Sequence, residues 1–148
     1  MEKPVSEFDL KMLMPHQPPM LLVNRATVAE KDGGEAETVF GRDSLFARPG
    51  GLVDEAVHFE LVAQTFAACT AVWRARAGQG TGPEQGYLTS LRSLTIHDAA
   101  SMEKTLCIRA KATGRVEDFL IVDGEVTQDG RMIASCQVMI LVPGGSSL

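Results

Sequence analysis

The chain has 148 residues, 45% of them hydrophobic and 22% charged, and a formal net charge of −5, which suits a single domain over residues 1–148. The acidic balance and the scattered Arg and Lys residues argue against a nucleic-acid-binding protein. No run approaches the roughly 20 apolar residues of a membrane helix, and residues 1–10 lack the apolar core of a secretory signal, so we expect a cytoplasmic protein without a membrane partner.

The N-terminal third of the sequence predicts a β-hairpin. Prolines 15, 18 and 19 require an extended or turning segment, because each fixes φ and removes a backbone donor. Residues 20–30 open with a continuous apolar run, and residues 35–41 alternate small or apolar side chains with polar ones. A Lys-Asp-Gly-Gly turn signal separates the two predicted strands.

A long helix is predicted over residues 52–77, which contain no Gly or Pro and are rich in Ala. Asp54 is a suitable N-cap, and Gly78 a suitable C-terminal stop. Residues 56–72 are apolar on most faces of such a helix, so we expect it to be buried on most sides.

The C-terminal half predicts only strands, over residues 87–97, 104–113, 119–127 and 132–142. Gly124 interrupts the third of these strands and predicts a bulge. The order of elements indicates an α+β fold, with one antiparallel sheet around a buried helix. A homodimer or higher oligomer would cover the sheet edge that this arrangement leaves open.

The three cysteines, Cys69, Cys107 and Cys136, are far apart and form no Cys-x-x-Cys pair. Their spacing indicates neither a disulfide framework nor a zinc site. Each falls in a predicted helix or strand, which predicts buried thiols. We expect no metal and no cofactor, because the sequence contains no motif for either.

Two segments resemble the 3-hydroxyacyl-(acyl carrier protein) dehydratases. Residues 13–25, Leu-Met-Pro-His-Gln-Pro-Pro-Met-Leu-Leu-Val-Asn-Arg, are similar to the N-terminal signature of that family, with Asn24 in place of its aspartate. Residues 60–64, Glu-Leu-Val-Ala-Gln, resemble its central-helix motif, and the likeness spans residues 10–142. The resemblance implies a hot-dog fold, an active site between two subunits, and a substrate linked to acyl carrier protein or coenzyme A.

The family's catalytic pair is a central-helix carboxylate and a histidine in a Gly-His-Phe-Pro-Gly loop. By resemblance Glu60 takes the place of the carboxylate. Residues 45–51, Leu-Phe-Ala-Arg-Pro-Gly-Gly, contain no histidine. The chain therefore resembles a divergent, dehydratase-like branch, associated with polyene and polyketide-type pathways, that lacks the loop histidine.

Dehydration of a 3-hydroxyacyl thioester needs a base at C2, an acid for the departing hydroxyl and a donor that polarises the thioester carbonyl. Glu60 suits the acid, because an apolar helix disfavours the charged form of a carboxyl group; it could instead be a buried glutamate bonded to backbone. His16, beside the acyl tunnel by resemblance, suits the base, or it could simply pin the N-terminal segment. Gln64 lies one turn from Glu60 on the same face and is predicted to contact substrate.

Three more residues are predicted to contact substrate. Gly50 and Gly51 would let a thioester approach the backbone, with N–H groups of residues 52–55 polarising its carbonyl. Phe59 would line the acyl tunnel, or would be plain core. The other two histidines have other expected places: His58 points about 200° away from Glu60 and is expected to be a satisfied histidine near the helix start, and His97 is expected at the surface.

The leading interpretation is a hydro-lyase of fatty-acid or polyene/polyketide-type synthesis. One alternative is a hot-dog acyl thioesterase, in which a helix carboxylate needs no histidine base. The other is a non-catalytic, acyl-carrier-binding subunit of a heterodimer, which the missing loop histidine also suits.

Overall fold

The structure is a computed structural model that describes residues 3–15, 17–79 and 87–141. A 3-10 turn at Val5–Glu7 opens the described chain. The helices and strands that follow are α1 Leu10–Leu13, β1 Arg25–Glu30, β2 Gly33–Thr38, β3 Ala47–Arg48, β4 Leu52–Val53, α2 Val57–Arg76, β5 Tyr87–Ile96, β6 Leu106–Val116, β7 Phe119–Gln128 and β8 Arg131–Leu141.

A six-stranded antiparallel sheet, in the order β1-β2-β6-β7-β8-β5, carries the fold. Helix α2 packs against every strand of this sheet, and its contact with β5 is the slightest. Strands β3 and β4 form a separate small hairpin. This arrangement confirms the predicted α+β class and the hot-dog architecture. None of the helices in the described ranges is long and apolar enough to cross a membrane.

Two glycines let α2 lie close to the sheet. A Cβ atom at Gly124 of β7 would stand 2.3 Å from Val62 Cγ1, and one at Gly34 of β2 would stand 2.8 Å from Cys69 Cβ. The bulge predicted at Gly124 is wrong, because the register is continuous there; it shifts against β6 between Ile121 and Val122 and against β8 between Val126 and Thr127. Gly124 therefore serves close helix packing rather than a bend of the strand.

Helix α2 begins at Val57, later than predicted. The backbone N–H of Val53 donates to the carbonyl oxygen of Ala100 at 2.9 Å, and that of Asp54 donates to Phe46 at 2.8 Å. Leu52 and Val53 also pair with β3 as the short strand β4, so the chain is extended there rather than helical. Asp54 is not the N-cap, which is Ala56. The Asp54 carboxylate instead accepts the N–H of Ala56 at 3.0 Å, and this bond lowers the pKa of Asp54.

The prediction of three buried thiols is wrong for one of them. Cys69 and Cys136 are buried, and burial raises the pKa of Cys69 to about 12 and that of Cys136 to about 11. Cys107 is exposed, because β6 alternates and places it on the face of the sheet opposite its buried neighbours Leu106 and Ile108.

Candidate active site

Glu60 and Gln64 share one face of the first turns of α2. Glu60 is partly exposed, whereas Gln64 is only 1% exposed. The side-chain amide of Gln64 donates to Glu60 Oε1 at 3.0 Å. This hydrogen bond fixes the orientation of the carboxylate that the sequence predicts as the catalytic acid.

The same Gln64 amide holds the segment that leads into β1. Its Oε1 accepts the N–H of Leu22 at 2.8 Å, and its Nε2 donates to the carbonyl oxygen of Met20 at 2.8 Å. With Glu60 as a further acceptor, both amide protons and the oxygen are engaged. The geometry therefore favours Gln64 as a positioning residue over the substrate contact predicted from the sequence.

Residues 20–24, predicted as strand, are not part of β1, which begins at Arg25. The N–H of Asn24 still donates to the Glu37 carbonyl of β2 at 3.1 Å, whereas side chains bond the backbone of Leu22 and the carbonyl of Met20. Asn24, the family's aspartate position, accepts the N–H of Val39 through Oδ1 at 2.8 Å. An amide oxygen serves this contact as a carboxylate oxygen would, so the departure from the family signature leaves the contact intact.

Gly50 and Gly51 form the exposed turn of the β3–β4 hairpin, with φ values of 85° and 75°. A Cβ atom at either position would meet nothing within 4 Å, so the space beside the turn is open. The carbonyl-polarising role predicted for residues 52–55 is wrong for two of them. The N–H groups of Val53 and Asp54 already bond Ala100 and Phe46.

Phe59 is partly buried and packs against the hydrophobic core, so it meets the requirement of either predicted role, core residue or tunnel wall. His16 lies outside the described residues. The predicted base and the predicted acid are therefore not brought together here, and the pairing of His16 with Glu60 stays a prediction.

His58 is not the satisfied histidine that was expected. It is 1% exposed, and its Nδ1 atom has no hydrogen-bond partner among the residues that the structure describes. Burial lowers the pKa of His58, and the nearby Glu55 and Asp54 carboxylates partly offset the shift. His97 is exposed, as predicted, and its Nε2 lies 2.9 Å from Ser135 Oγ.

A groove of about 260 Å³ lies between residues 19–24 and residues 39–46. Its wall is mostly apolar, with Asn24, Asp43 and Ser44 as the polar members. The apolar members are Pro19, Leu21, Leu22, Val39, Phe40, Leu45 and Phe46. The groove therefore adjoins the segment that Gln64 holds.

Solved structures share this architecture. The dehydratase heterocomplex ApeI:P from Xenorhabdus doucetiae matches with a TM-score of 0.79 and 18% identity, over 93% of each chain. A hypothetical thioesterase protein with coenzyme A from Streptococcus pneumoniae TIGR4 matches with a TM-score of 0.61 and 16% identity, over 82% of this chain and 88% of that one. The uncharacterized protein PH1136 from Pyrococcus horikoshii matches with a TM-score of 0.66 and 14% identity, over 97% and 95%.

At these identities the structural matches show the fold alone. No curated protein matches the chain in sequence. The sequence profile of the ApeP-like family, described as ApeP dehydratase, matches residues 8–147 and so covers both the Pro-His segment and the Glu60–Gln64 motif. The chain belongs to the ApeP-like dehydratase family.

Proposed function

We propose that this protein is a hydro-lyase that removes water from 3-hydroxyacyl thioesters linked to acyl carrier protein or coenzyme A. The observation that carries the proposal is the Glu60 carboxylate, partly exposed and oriented by Gln64 at 3.0 Å. Membership of a dehydratase family supports the reaction. A structural relative with coenzyme A supports a thioester substrate.

In the proposed reaction Glu60 gives its proton to the hydroxyl group on C3, which leaves as water. A base takes the proton from C2, and the electron pair of that C–H bond forms the C2–C3 double bond. Gln64 donates to Oε1 of Glu60 and so holds the carboxyl group in one orientation. Gly50 and Gly51, with open space beside them, are the proposed place where the thioester meets the backbone.

The proposed base is His16. Three residues separate it from Met20, whose carbonyl oxygen lies 2.8 Å from the Gln64 amide. Gln17, its neighbour, accepts the N–H of Met20 at 2.8 Å, so a tight turn links the Pro-His segment to Gln64. This short tether supports a place for His16 near Glu60.

A second subunit is part of the proposal. Leu91 of β5 pairs with the buried Val138 of β8 and shares its side of the sheet, yet remains 42% exposed. β5 is an edge strand on which α2 makes its slightest contact. A homodimer across this edge would cover Leu91 and complete the acyl tunnel. The relative described as a dehydratase heterocomplex supports a non-identical partner as the alternative, which would supply the missing histidine.

An acyl thioesterase is the second candidate function. The thioesterase-type structural relative and the absence of the loop histidine favour it. Either enzyme is proposed to act in the cytoplasm, which the three unpaired cysteines support, because a reducing compartment keeps thiols free.

The test is mass spectrometry of 3-hydroxybutyryl and 3-hydroxydecanoyl pantetheine thioesters incubated with the pure protein. Loss of water that disappears in Glu60→Gln supports the dehydratase. Glu125→Gln is the matched control, because Glu125 is an exposed glutamate on β7 and should retain full activity. His16→Ala then tests the base.

Loss of the pantetheine thiol instead of water would replace the dehydratase with the thioesterase. Turnover that Glu60→Gln leaves unchanged would refute the assignment of Glu60. If neither thioester is turned over, by the protein alone or by its complex with a dehydratase-family partner, the proposed activity is wrong, and a non-catalytic subunit is favoured.

A further inference from the structure

We infer that Thr38 is a positioning residue for Glu60, acting through Leu22 and Gln64. The inference rests on the proposed function for its catalytic consequence, but its structural part does not. Thr38 ends β2 and is 1% exposed. Its hydroxyl is the far end of a chain of hydrogen bonds that leads to the Glu60 carboxylate.

The peptide groups of Leu22 are held from two sides. The Thr38 hydroxyl lies 2.6 Å from the carbonyl oxygen of Leu22 and 3.1 Å from Asn24 Oδ1, and the shorter distance favours Leu22 as the acceptor of its single proton. The N–H of Leu22 donates to Gln64 Oε1 at 2.8 Å, and Gln64 Nε2 donates to Glu60 Oε1 at 3.0 Å. Strand β2 and helix α2 thus both hold one short stretch of backbone, and Glu60 is joined to this stretch.

The contact between Thr38 and Leu22 affects residues beyond this pair. Within residues 20–24 the N–H of Asn24 bonds β2, whereas the side chains of Gln64 and Thr38 hold the backbone of Met20 and Leu22. If Leu22 loses the Thr38 hydroxyl, its carbonyl must turn toward another donor, since a buried unpaired carbonyl is costly. That turn moves the N–H which fixes Gln64 Oε1 and therefore also the amide protons of Gln64.

The position also explains why a hydroxyl is present. Thr38 occupies an inward-facing site of β2, as Ala36 does. A valine would have the same shape and β-propensity there, so stability through apolar burial does not require threonine. The Leu22 carbonyl oxygen, 2.6 Å away, does require the hydroxyl group that threonine supplies.

The variants are Thr38→Val, which removes only the hydroxyl, and Thr38→Ser, which retains it. Thr70→Val is the matched control, because Thr70 is also buried, and its hydroxyl bonds only helix carbonyls, of Phe66 at 2.9 Å and Ala67 at 3.2 Å. Turnover of the 3-hydroxyacyl pantetheine thioesters is compared at a temperature well below the unfolding midpoint of each variant.

In Thr38→Val we expect kcat to fall about tenfold, with KM changed by less than about twofold, because a displaced acid affects the transition state more than substrate binding. Thr38→Ser should restore most of kcat, and Thr70→Val should leave it unchanged. Equal kcat in wild type and Thr38→Val, or equal losses in Thr38→Val and Thr70→Val, would overturn the inference.

An NMR readout does not depend on activity. In wild type the Gln64 side-chain amide protons and the Leu22 amide proton should exchange slowly with solvent. Thr38→Val should speed their exchange by about tenfold or more, whereas Thr70→Val should not. Unchanged exchange at Gln64 would refute the structural link. If exchange changes as expected while the wild type turns over no thioester, the positioning link stands, and the proposed function is what failed.

Discussion

Gly124 sets how closely α2, and with it Glu60, approaches the sheet. Gly124→Ala would place a methyl carbon 2.3 Å from Val62 Cγ1, 2.4 Å from Cγ2 and 2.9 Å from Cβ, and because the Cβ atom is fixed to the helix backbone, the helix must move. Ordinary contact begins near 3.4 Å, so the helix and strand must separate by about 1 Å. Overpacking of this kind costs about 1–3 kcal/mol, and we expect this loss in the free energy of unfolding.

A second substitution, at Val62, tests whether the close contact with Gly124 causes this loss. Val62→Ala alone removes two fully buried methyl groups and should cost about 1–3 kcal/mol. In Gly124→Ala/Val62→Ala the closest contact of the new methyl carbon relaxes from 2.3 Å to the 2.9 Å that separates it from Cβ of residue 62, so most of the clash is relieved. The double variant should therefore be more stable than the sum of the single effects predicts, by about 1–3 kcal/mol. Urea unfolding of all four proteins measures this coupling, and additive effects would show that the close approach of Gly124 and Val62 does not govern packing.

Two further predictions concern buried polar groups on α2. Thr65 Oγ1 is buried and has no hydrogen-bond partner within residues 3–15, 17–79 and 87–141, so Thr65→Val should raise the free energy of unfolding by about 1 kcal/mol. A lower free energy of unfolding in urea would contradict this prediction. His58 has its pKa lowered from 6.5 by burial, so the unfolded chain binds a proton more readily than the folded one. The contribution of neutral His58 to the free energy of unfolding is fully present above pH 6.5 and is lost as the pH falls below that value. His58→Gln should weaken the pH dependence of the urea midpoint between pH 6.5 and pH 5. A pH dependence equal to that of the wild type would contradict the assignment.

Much of the fold could be predicted because its signals are local. The Asp-Gly turn before β8, the Lys-Asp turn before the two glycines that open β2, and the Ala-rich run of α2 each involve neighbouring residues only. Where distant partners decide, the prediction fails. Leu22 looks like strand but bonds the side chains of Gln64 and Thr38. Asp54 looks like an N-cap, but its N–H is taken by Phe46.

The candidate site likewise contains residues that local spacing predicts and residues whose partners are distant in the sequence. Glu60 and Gln64 could be predicted as neighbours, because a spacing of four residues fixes them on one face of a helix. Thr38 was missed, although it is a polar residue in the alternation of Ala36 and Phe40, which are both buried. A hydroxyl at an inward strand position signals a buried acceptor, but the sequence cannot identify the acceptor as the Leu22 carbonyl.

The hydrogen bonds of the Gln64 side chain also constrain the order in which the chain folds. Its bonds to Leu22 and Met20 span 42 and 44 residues, and they cannot form before α2 exists and lies on the sheet. During synthesis, the N-terminal segment must therefore wait for the helix to emerge and pack before it can dock. The acid reaches its final orientation only with that docking, so a nascent chain that has formed α2 but not yet secured its N-terminus carries an acid that is not yet in place.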